Sequence, residues 1–444
     1  MMGENREYST DLKTEEELEK YFDRLFPICR SITGSGFQES LDILREIIPL
    51  EKIDFSSGTD CYDWTIPDEW NVRDAYIITP AGEKIAMFKE NNLHVVGYSS
   101  PVDKKISLAE LKEHLHTLED LPDAIPYVTS YYKRRWGFCI PFNIYKSLSE
   151  GIYKVHIDSD LKPGKLTVGN LTIPGETEQE ILLNSFLCHP SMAVNELSGP
   201  LLLAFLYQKL KAQGPFKHTI RFVLCAENIG TIAFLSLFGD YLIKHLDAGL
   251  VINCVGHGDL YTYKYSRQGN SLVDRASMNV LKHQKKPVDE VRYYAGGSDE
   301  RQYCSPGFNL PVGLIMRTMY GKYREYHTSL DNKALISFKA IRETIDLYFD
   351  VIKTIDENRK YIARVQKGTP QFSKSPISLY PSTMNANFYN QHDEFLLMML
   401  ELANLSDGEH DLLAIAEKRN LKMIDMLEAK DLLVKAGYLK EMEE

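Results

Sequence analysis

The spacing of hydrophobic positions changes along the chain, and each change predicts a different kind of structure. Residues 14–30 and 38–49 carry apolar side chains every three or four positions, which is the period of an amphipathic helix. Between 61 and 165, apolar and polar residues alternate in short segments separated by turn residues, which indicates a mainly β module. Within that module, only residues 107–118 carry a clear helical pattern.

From residue 166 onward, the apolar runs become continuous and alternate with helical patterns. The pattern predicts strands at 181–188, 219–225, 250–255 and 310–316, and helices at 198–210, 229–238 and 335–354. Strands that are apolar on both faces and alternate with helices are typical of an α/β core with a mainly parallel sheet. We therefore expect a core formed by residues 1–60 and 166–366, interrupted by an inserted β domain at 61–165.

The C-terminal part is set apart by a proline- and serine-rich stretch at 367–386, which predicts a linker. Three short helical patterns follow it, at 394–403, 411–419 and 429–436. Their spacing favours a small winged-helix domain at 385–444. That segment holds 13 acidic and six basic residues. Such a balance disfavours DNA binding, so docking to another protein or dimerisation is the better expectation.

Composition narrows the classes of protein that remain. A length of 444 residues predicts two or three domains, and the net charge of −11 argues against nucleic acid as a partner. No apolar run reaches the roughly 18 residues that a membrane span needs, and the N-terminal residues lack the apolar core of a signal peptide. The seven cysteines are scattered and form no CxxC motif, which favours buried thiols in a reducing compartment. We expect a cytoplasmic protein.

Polar groups able to bind a metal or move a proton come directly after the predicted core strands. His189 and Glu196 follow the first strand, Glu227 follows the second, and His327 precedes the last helix. Loops at the carboxyl ends of parallel strands meet at one edge of a sheet. Each residue alone is explained equally well as an ordinary core, loop or helix-terminal side chain. Together, they predict a metal site formed by His189, Glu196 and His327, with an open position for water. Glu227 would then act as the general base.

A loop with two glycines supplies further candidates. Gly296 and Gly297 precede Asp299, Glu300 and Arg301, an arrangement that indicates a tight turn presenting charged side chains. An ordinary surface loop explains the segment equally well.

We predict that the substrate is bound by residues of this loop and by an aromatic neighbour of His327. These residues are Asp299, Glu300, Arg301 and Tyr326.

In this order, the segments resemble those of the zinc aminopeptidase superfamily, which also includes glutaminyl cyclases. The matching positions are His189, Asn-Glu-Leu-Ser-Gly at 195–199, Glu-Asn-Ile-Gly at 227–230, Gly-Ser-Asp at 297–299 and Tyr-His-Thr at 326–328. The chain is most similar to a bacterial aminopeptidase-like branch with an inserted β domain and a C-terminal winged helix. The resemblance spans nearly the whole chain and implies a zinc peptidase-like core.

Three positions depart from the pattern of that superfamily. The metal-bridging aspartate is replaced by Asn195, the second glutamate by Asn228, and the strand that usually ends in a ligating aspartate runs through 252–256 without a carboxylate. Neutral amides are poor replacements for anionic ligands of a divalent cation. The resemblance therefore implies one zinc ion per chain rather than two, with Glu196, one residue out of register, as a replacement ligand.

The leading hypothesis is a zinc-dependent peptidase, aminopeptidase-like, that hydrolyses a peptide or a related small-molecule amide. The alternative is a catalytically impaired binding or scaffold protein on a peptidase fold, because three ligand positions are changed. A weaker third hypothesis makes the C-terminal domain a DNA reader, against which its acidic balance counts. No membrane partner is expected, whereas a homo-oligomer formed through the inserted or C-terminal domain is.

Overall fold

The computed structural model describes residues 2–375 and 389–442, with the side chains of 11–375 and 394–442. Its contacts divide the chain into two compact units, one of Met1–Ser271 with Lys286–Asp346 and one of Leu272–Lys285 with Leu347–Glu444. Among the described residues, no helix combines the length and apolar composition needed to cross a bilayer.

The first unit begins with two helices and an edge strand. These elements are α1 (Met2–Leu25), α2 (Ser35–Leu44) and β1 (Glu51–Ser56). Helix α1 therefore begins before the predicted helix at 14–30 and also ends before residue 30. It ends two residues before Pro27, because the residue before a proline is disfavoured in helical geometry.

The inserted segment is mainly β, as the alternating pattern predicts. Its elements are β2 (Asp60–Cys61), β3 (Trp64–Thr65), β4 (Glu69–Ile78), β5 (Lys84–Ile85), β6 (Val102–Ser107), α3 (Leu108–Lys112), β7 (Leu115–His116), β8 (Phe138–Cys139), α4 (Phe142–Ser147) and β9 (Ile152–Lys162). The main sheet has the order β5-β4-β9-β6. Buried positions alternate along β9, as in a strand with one face on a core. The helix expected at 107–118 is only α3, because β7 follows it directly.

The central sheet combines β1 with seven later strands. The elements from residue 165 onward are β10 (Lys165–Ile173), β11 (Glu180–Phe186), α5 (Ser198–Gln213), β12 (Thr219–Cys225), α6 (Ile229–His245), β13 (Leu246–Val251), β14 (Tyr261–Lys264), α7 (Leu272–Lys282), β15 (Val288–Val291), α8 (Glu300–Tyr303), β16 (Val312–Met316) and α9 (Phe338–Asp356). The strand order is β1-β10-β12-β11-β13-β16-β14-β15. This is the expected α/β core on a large sheet flanked by helices.

The four middle strands, β12, β11, β13 and β16, are parallel neighbours. Every residue of β11 is buried, as expected for a strand covered on both faces. The loops that follow these four strands therefore start at the same edge of the sheet. Those loops contain His189, Glu196, Glu227 and His327, whereas the segment with Asp299, Glu300 and Arg301 follows β15.

The second unit contains a three-stranded sheet and three helices after residue 359. Its elements there are β17 (Lys360–Ala363), α10 (Tyr389–Leu405), β18 (Asp407–Asp411), α11 (Leu412–Arg419), α12 (Leu427–Lys435) and β19 (Leu439–Glu441). The strand order is β18-β17-β19. The middle strand therefore comes from residues before 385, the predicted start of the domain. More than half of the expected linker at 367–386 lies outside the described residues.

Helix α7 also belongs to the second unit, although the sequence places it within the expected core. Arg275 on α7 forms ion pairs with Asp411 at 2.9 Å and with Glu417 at 2.9 Å. The side chain of Asn279 donates to the backbone carbonyl of Leu421 at 2.9 Å. These polar contacts join segments more than 130 residues apart, so periodicity within a single window could not predict them.

Candidate metal centre

His189 is held through its Nδ1 atom by a buried carboxylate. Nδ1 donates to Oε2 of Glu196 at 2.6 Å, and the other carboxylate oxygen accepts the backbone N–H of Cys188. Glu196 has no exposed surface. A carboxylate bonded to the far nitrogen of a histidine is the usual partner of a metal-binding imidazole. This position disfavours the predicted role of Glu196 as a metal ligand and favours a role in orienting His189.

A single turn of π-helix at Ala193–Leu197 points Glu196 inward. The carboxylate of Asp331 fixes this turn by accepting the backbone N–H groups of Val194 at 2.7 Å and Asn195 at 2.9 Å. Single π turns inside helices are frequent at functional sites. The backbone around Glu196 is therefore fixed independently of His189.

The other nitrogen of His189 faces the remaining candidate residues. Nε2 lies 3.7 Å from Oε2 of Glu227, whose side chain is 23% exposed. The ring centroids of His189 and His327 are 5.3 Å apart. His327 Nε2 is buried and has no hydrogen-bond partner.

The separation of the two rings fits a shared ion. Zinc binds imidazole nitrogens at about 2.0–2.1 Å in tetrahedral geometry, which places two ring centroids roughly 5 Å apart. A cation would also satisfy the unpaired Nε2 of His327. The two imidazoles therefore fit a shared zinc ion.

Burial sets the protonation states of this group. It lowers the pKa of His327 to about 3, an effect to which the charge of His189 adds. It raises the pKa of Glu227 to about 7, although His189 opposes the shift. Burial alone would lower the pKa of His189, but Glu196 and Glu227 together raise it above its ordinary value. His327 is thus neutral at pH 7, which is the form that binds metals.

Cys188 stands close to the Nδ1 side of His189. Among the described residues, Cys188, His189 and Glu196 are the group of three whose potential ligand atoms all lie within 4.8 Å of one another. Burial raises the pKa of the Cys188 thiol well above its ordinary value, and its sulfur accepts the backbone N–H of Glu227 at 3.4 Å. A protonated thiol is a poor ligand. We therefore interpret the trio as a hydrogen-bonded support behind the imidazole.

Asn228 turns its polar groups toward α8. Its side-chain oxygen accepts bonds from Arg301 Nε at 2.9 Å and Gln302 Nε2 at 3.0 Å. Its backbone N–H donates to Asp299 at 2.6 Å. The residue has a φ of 62°, a left-handed value that asparagine tolerates better than most residues. Where the superfamily has an anionic ligand, this chain has an amide bonded to its own neighbours.

Asn195 is the second replaced position, and Cys254 lies in the segment 252–256 that lacks a carboxylate; both residues are buried. The side-chain oxygen of Asn195 lies 3.9 Å from the Cys254 sulfur, and its nitrogen lies 3.9 Å from the Met192 sulfur. These are weak contacts between neutral groups. The three positions that carry anionic ligands in the family pattern are therefore all neutral in this chain at pH 7.

Two predicted substrate-binding residues lie beneath the surface. Asp299 and Glu300 have no exposed area. Asp299 accepts a bond from Asn184 Nδ2 at 3.0 Å in addition to that from Asn228, and Glu300 pairs with Lys264 at 2.5 Å. Burial raises the pKa of Asp299 to about 6. Their burial contradicts direct contact with a substrate; Asp299 instead supports the loop that carries Glu227.

The other two predicted substrate-binding residues are partly accessible. Arg301 is half-buried, with Nε bonded to Asn228. Tyr326 is half-buried and stacks on His327, with 3.9 Å between ring centroids and 12° between planes. Both lie beside the imidazole and carboxylate groups, so their predicted role is compatible with their positions.

The inserted domain contributes residues to this site that the sequence does not indicate. The ring of Tyr127 lies 5.0 Å from that of His189 and 5.2 Å from that of His327. Its backbone N–H donates to the His327 carbonyl at 2.9 Å, and its hydroxyl lies 3.1 Å from that of Tyr131. Tyr127 lies in irregular backbone far from any core strand end, so no local pattern marks it. The insertion therefore completes one wall of the site.

Solved structures with a similar fold include a zinc aminopeptidase and another peptidase. BSAP, a zinc aminopeptidase from Bacillus subtilis, matches with a TM-score of 0.56 and 11% identity, over 77% of this chain and 94% of that one. A peptidase M28 precursor from Shewanella amazonensis matches with a TM-score of 0.54 and 12% identity, over 78% and 97%. At such identities the likeness concerns the fold. The chain thus shares the α/β fold of these peptidases over about three quarters of its length.

Residues 19–358 match DUF4910, described as a domain of unknown function, and residues 359–441 match a winged helix-turn-helix family. The chain therefore belongs to the DUF4910 family and carries a C-terminal winged helix. A Clostridium acetobutylicum protein is 42% identical over 436 residues, which cover 98% of this chain and 99% of that protein. Its provisional name is polysaccharide biosynthesis protein with aminopeptidase-like domain.

A crystal structure of a protein from Clostridium acetobutylicum aligns over 100% of this chain and 100% of that chain. It matches with a TM-score of 0.90 and 40% identity, and its protein is provisionally called a peptidase. The full-length match extends the similarity to the inserted segment and the winged helix.

Proposed function

We propose that this protein hydrolyses a peptide or a related amide bond, with one zinc ion per chain held by His189 and His327 and with Glu227 as the general base. The supporting observation is the convergence of three groups from separate strand ends. His189 Nε2 lies 3.7 Å from the Glu227 carboxylate, and the neighbouring His327 ring has a buried, unpaired Nε2.

Glu227 suits the transfer of a proton in both directions. A zinc ion at this site would supply Lewis acidity for the substrate carbonyl. Glu227 takes a proton from the attacking water and delivers it to the leaving nitrogen. Its pKa of about 7 is close to the value at which a carboxylate exchanges protons readily at neutral pH. Glu196 accepts the Nδ1 proton of His189, which leaves the Nε2 lone pair available.

The substrate would be positioned by the partly accessible residues around Glu227. Arg301 can pair with an anionic group, and Tyr326 and Tyr131 offer hydroxyl groups and aromatic faces. The name of the Clostridium acetobutylicum relative refers to polysaccharide biosynthesis. Acylated amino sugars therefore join peptides as candidate substrates.

Metal analysis tests the proposal directly. We expect one tightly bound zinc equivalent in protein purified without chelators or added metal. His327→Asn, which tolerates the left-handed backbone at φ 56°, should lose it. The matched control His410→Asn changes an exposed histidine of the second unit and should retain the ion. Two tightly bound equivalents, or one that survives His327→Asn, would refute the proposed site. Hydrolysis is then assayed on aminoacyl, peptidyl and N-acyl-sugar amides.

The second candidate function is a binding or scaffold protein on a peptidase fold. The hydrogen bonds from Arg301 and Gln302 to Asn228 favour it, because a former ligand position is now committed to the protein's own structure. The same analysis separates the two functions. Absence of bound zinc together with absence of turnover on all three substrate classes would leave the scaffold function.

A further inference from the structure

We propose that a cavity beside α6 binds a neutral or amine-bearing oligosaccharide, and that it extends the candidate catalytic site. The inference rests on the proposed function only for its link to catalysis. The cavity lies between the β2–β3 hairpin of the insertion and the core elements α6 and 302–308.

The cavity has the size and construction of a small-molecule site. Its volume is about 440 Å³, within the roughly 300–1,000 Å³ typical of ligand pockets. The hairpin is anchored to the core because the Tyr62 hydroxyl donates to the Leu235 carbonyl at 3.1 Å. Tyr62 lies in the turn with a φ of 55°. The backbone of Tyr62 is thus held in a left-handed geometry that is uncommon for tyrosine.

Two pairs of aromatic rings lie at the cavity, and we call them together the aromatic strip; they are Tyr62 with Phe308 and Trp64 with Tyr132. The Tyr62 and Phe308 ring centroids are 5.7 Å apart, and those of Trp64 and Tyr132 are 6.2 Å apart. Tyr62 is 63% exposed and Tyr132 is 55% exposed. Clustered exposed aromatic groups mark binding surfaces. Rings presented in this way offer flat apolar faces, which match the C–H face of a pyranose.

The polar groups of the cavity indicate the charge of its ligand. Asp63 and Asp240 line it and are exposed, and Gln302 and Ser305 add amide and hydroxyl groups. Among the described residues that line it, none is basic. Carboxylates accept hydrogen bonds from hydroxyl or ammonium groups. They repel carboxylated or sulfated sugars, so the ligand we infer is a neutral or amine-bearing glycan.

The cavity adjoins the candidate catalytic site through Gln302. Tyr132 follows Tyr131, whose hydroxyl lies 3.1 Å from that of Tyr127, the ring that contacts both imidazoles. Gln302 lines the cavity and donates to Asn228, the residue next to Glu227. An elongated substrate could therefore occupy both places at once, as an oligosaccharide would and a single sugar would not.

Titration calorimetry with neutral trisaccharides tests the inference on the full chain. The probes are N-acetylglucosamine, glucose and mannose trimers, with a galacturonic acid trimer as the anionic comparison. We expect the neutral trimers to bind and the anionic trimer to bind at least tenfold more weakly. Tyr62→Ala and Trp64→Ala should each weaken binding by about tenfold or more, as for aromatic anchors of other binding sites. Tyr62→Phe, which keeps the ring but loses the bond to Leu235, should bind the neutral trimers more tightly than Tyr62→Ala.

The matched control is Tyr241→Ala. Tyr241 is 37% exposed on the same helix but does not line the cavity, so its removal should leave the dissociation constant unchanged. If the trimers bind through Tyr62 but zinc is absent, the glycan site stands and the hydrolase proposal fails.

Three results would overturn the glycan site. These are no binding of any neutral trimer, equal binding by Tyr62→Ala and wild type, or tighter binding of the anionic trimer. If hydrolysis is found, the aromatic-strip variants should lower kcat/KM for oligomeric amides and leave it unchanged for monomeric ones. An equal loss of kcat/KM on oligomeric and monomeric amides would show that these residues do not form a distal subsite.

Discussion

The candidate site has two halves that share one sheet edge but differ in chemistry. The imidazole half consists of His189, Glu196, Glu227 and His327, and the amide half consists of Asn195, Asn228, Cys254 and Asp299. In the imidazole half, a buried nitrogen of His327 lacks a partner and Glu227 remains partly exposed. In the amide half, Asn228 and Asp299 are bonded to neighbouring residues.

This difference shows which half is arranged for a ligand. An unpaired buried polar atom costs about 1–3 kcal/mol, so it persists where something outside the chain can satisfy it. In the amide half, Asn228 and Asp299 avoid that cost, because their polar groups are bonded within the fold. One half of a sheet edge can thus be available for binding while the polar groups of the other half stabilise the fold.

The largest expected effect is the loss of turnover in Glu227→Gln. Removing a general base lowers rates by about 10²–10⁴-fold, and zinc content should stay at the wild-type level. The measurement is kcat on the best amide substrate, with zinc determined on the same samples. Glu178→Gln, at a side chain that is 85% exposed, should retain full activity. Full activity in Glu227→Gln would remove this residue from the mechanism.

Asp299, in the amide half, should make the stability of the folded protein depend on pH. Burial raises its pKa from 3.8 to about 6, so the folded protein holds this proton more tightly than the unfolded chain does. Its contribution is therefore fully present below about pH 4 and is lost as the pH rises through 6. The stability of the wild type minus that of Asp299→Asn should fall by about 2 kcal/mol between pH 4 and pH 7.

Urea unfolding at several pH values measures this difference. Asp259→Asn serves as the control, because the Asp259 side chain is fully exposed and its substitution should give a difference that changes little with pH. A constant difference for Asp299→Asn would show that burial does not control this carboxyl. The comparison between the halves would then lose its electrostatic basis.

The smallest expected effect concerns Glu196 and separates its two roles. If Glu196 orients His189, Glu196→Gln should weaken zinc binding by about 10–100-fold, as for other partners of ligating histidines. Chelator competition measures the affinity, and Glu90→Gln, at an exposed residue, should leave it unchanged. A much larger loss of zinc affinity would support Glu196 as a direct ligand. An unchanged affinity would exclude both roles.

The sequence predicts the parts of this molecule whose signal is local. The strand Thr219–Cys225 is apolar apart from Thr219 and Arg221, so its position follows from the pattern. His189, Glu227 and His327 are found because they follow core strands in parallel order. The inward direction of Asp299 and Glu300 could not be predicted, because it depends on Asn184 and Lys264 from other strands.

Other features depend on contacts between distant segments. Tyr127 reaches the site only because the insertion pairs with the loop after β16, where Pro126 forms a bridge with Thr328. Lys360–Ala363 is a short strand beside a long helix, and its partners Asp407–Asp411 and Leu439–Glu441 lie much later in the chain. Helical or alternating periodicity within a window carries no information about such partners.

The central place of Lys360–Ala363 in the small sheet affects how the C-terminal region can be isolated. A fragment that begins at residue 385 would lack this strand, and Asp407–Asp411 and Leu439–Glu441 would each lose their shared neighbour. Their unsatisfied backbone groups would then be open to pairing with other chains. Recombinant expression of this region should therefore start before Lys360, and aggregation of a shorter fragment would reveal nothing about the intact protein.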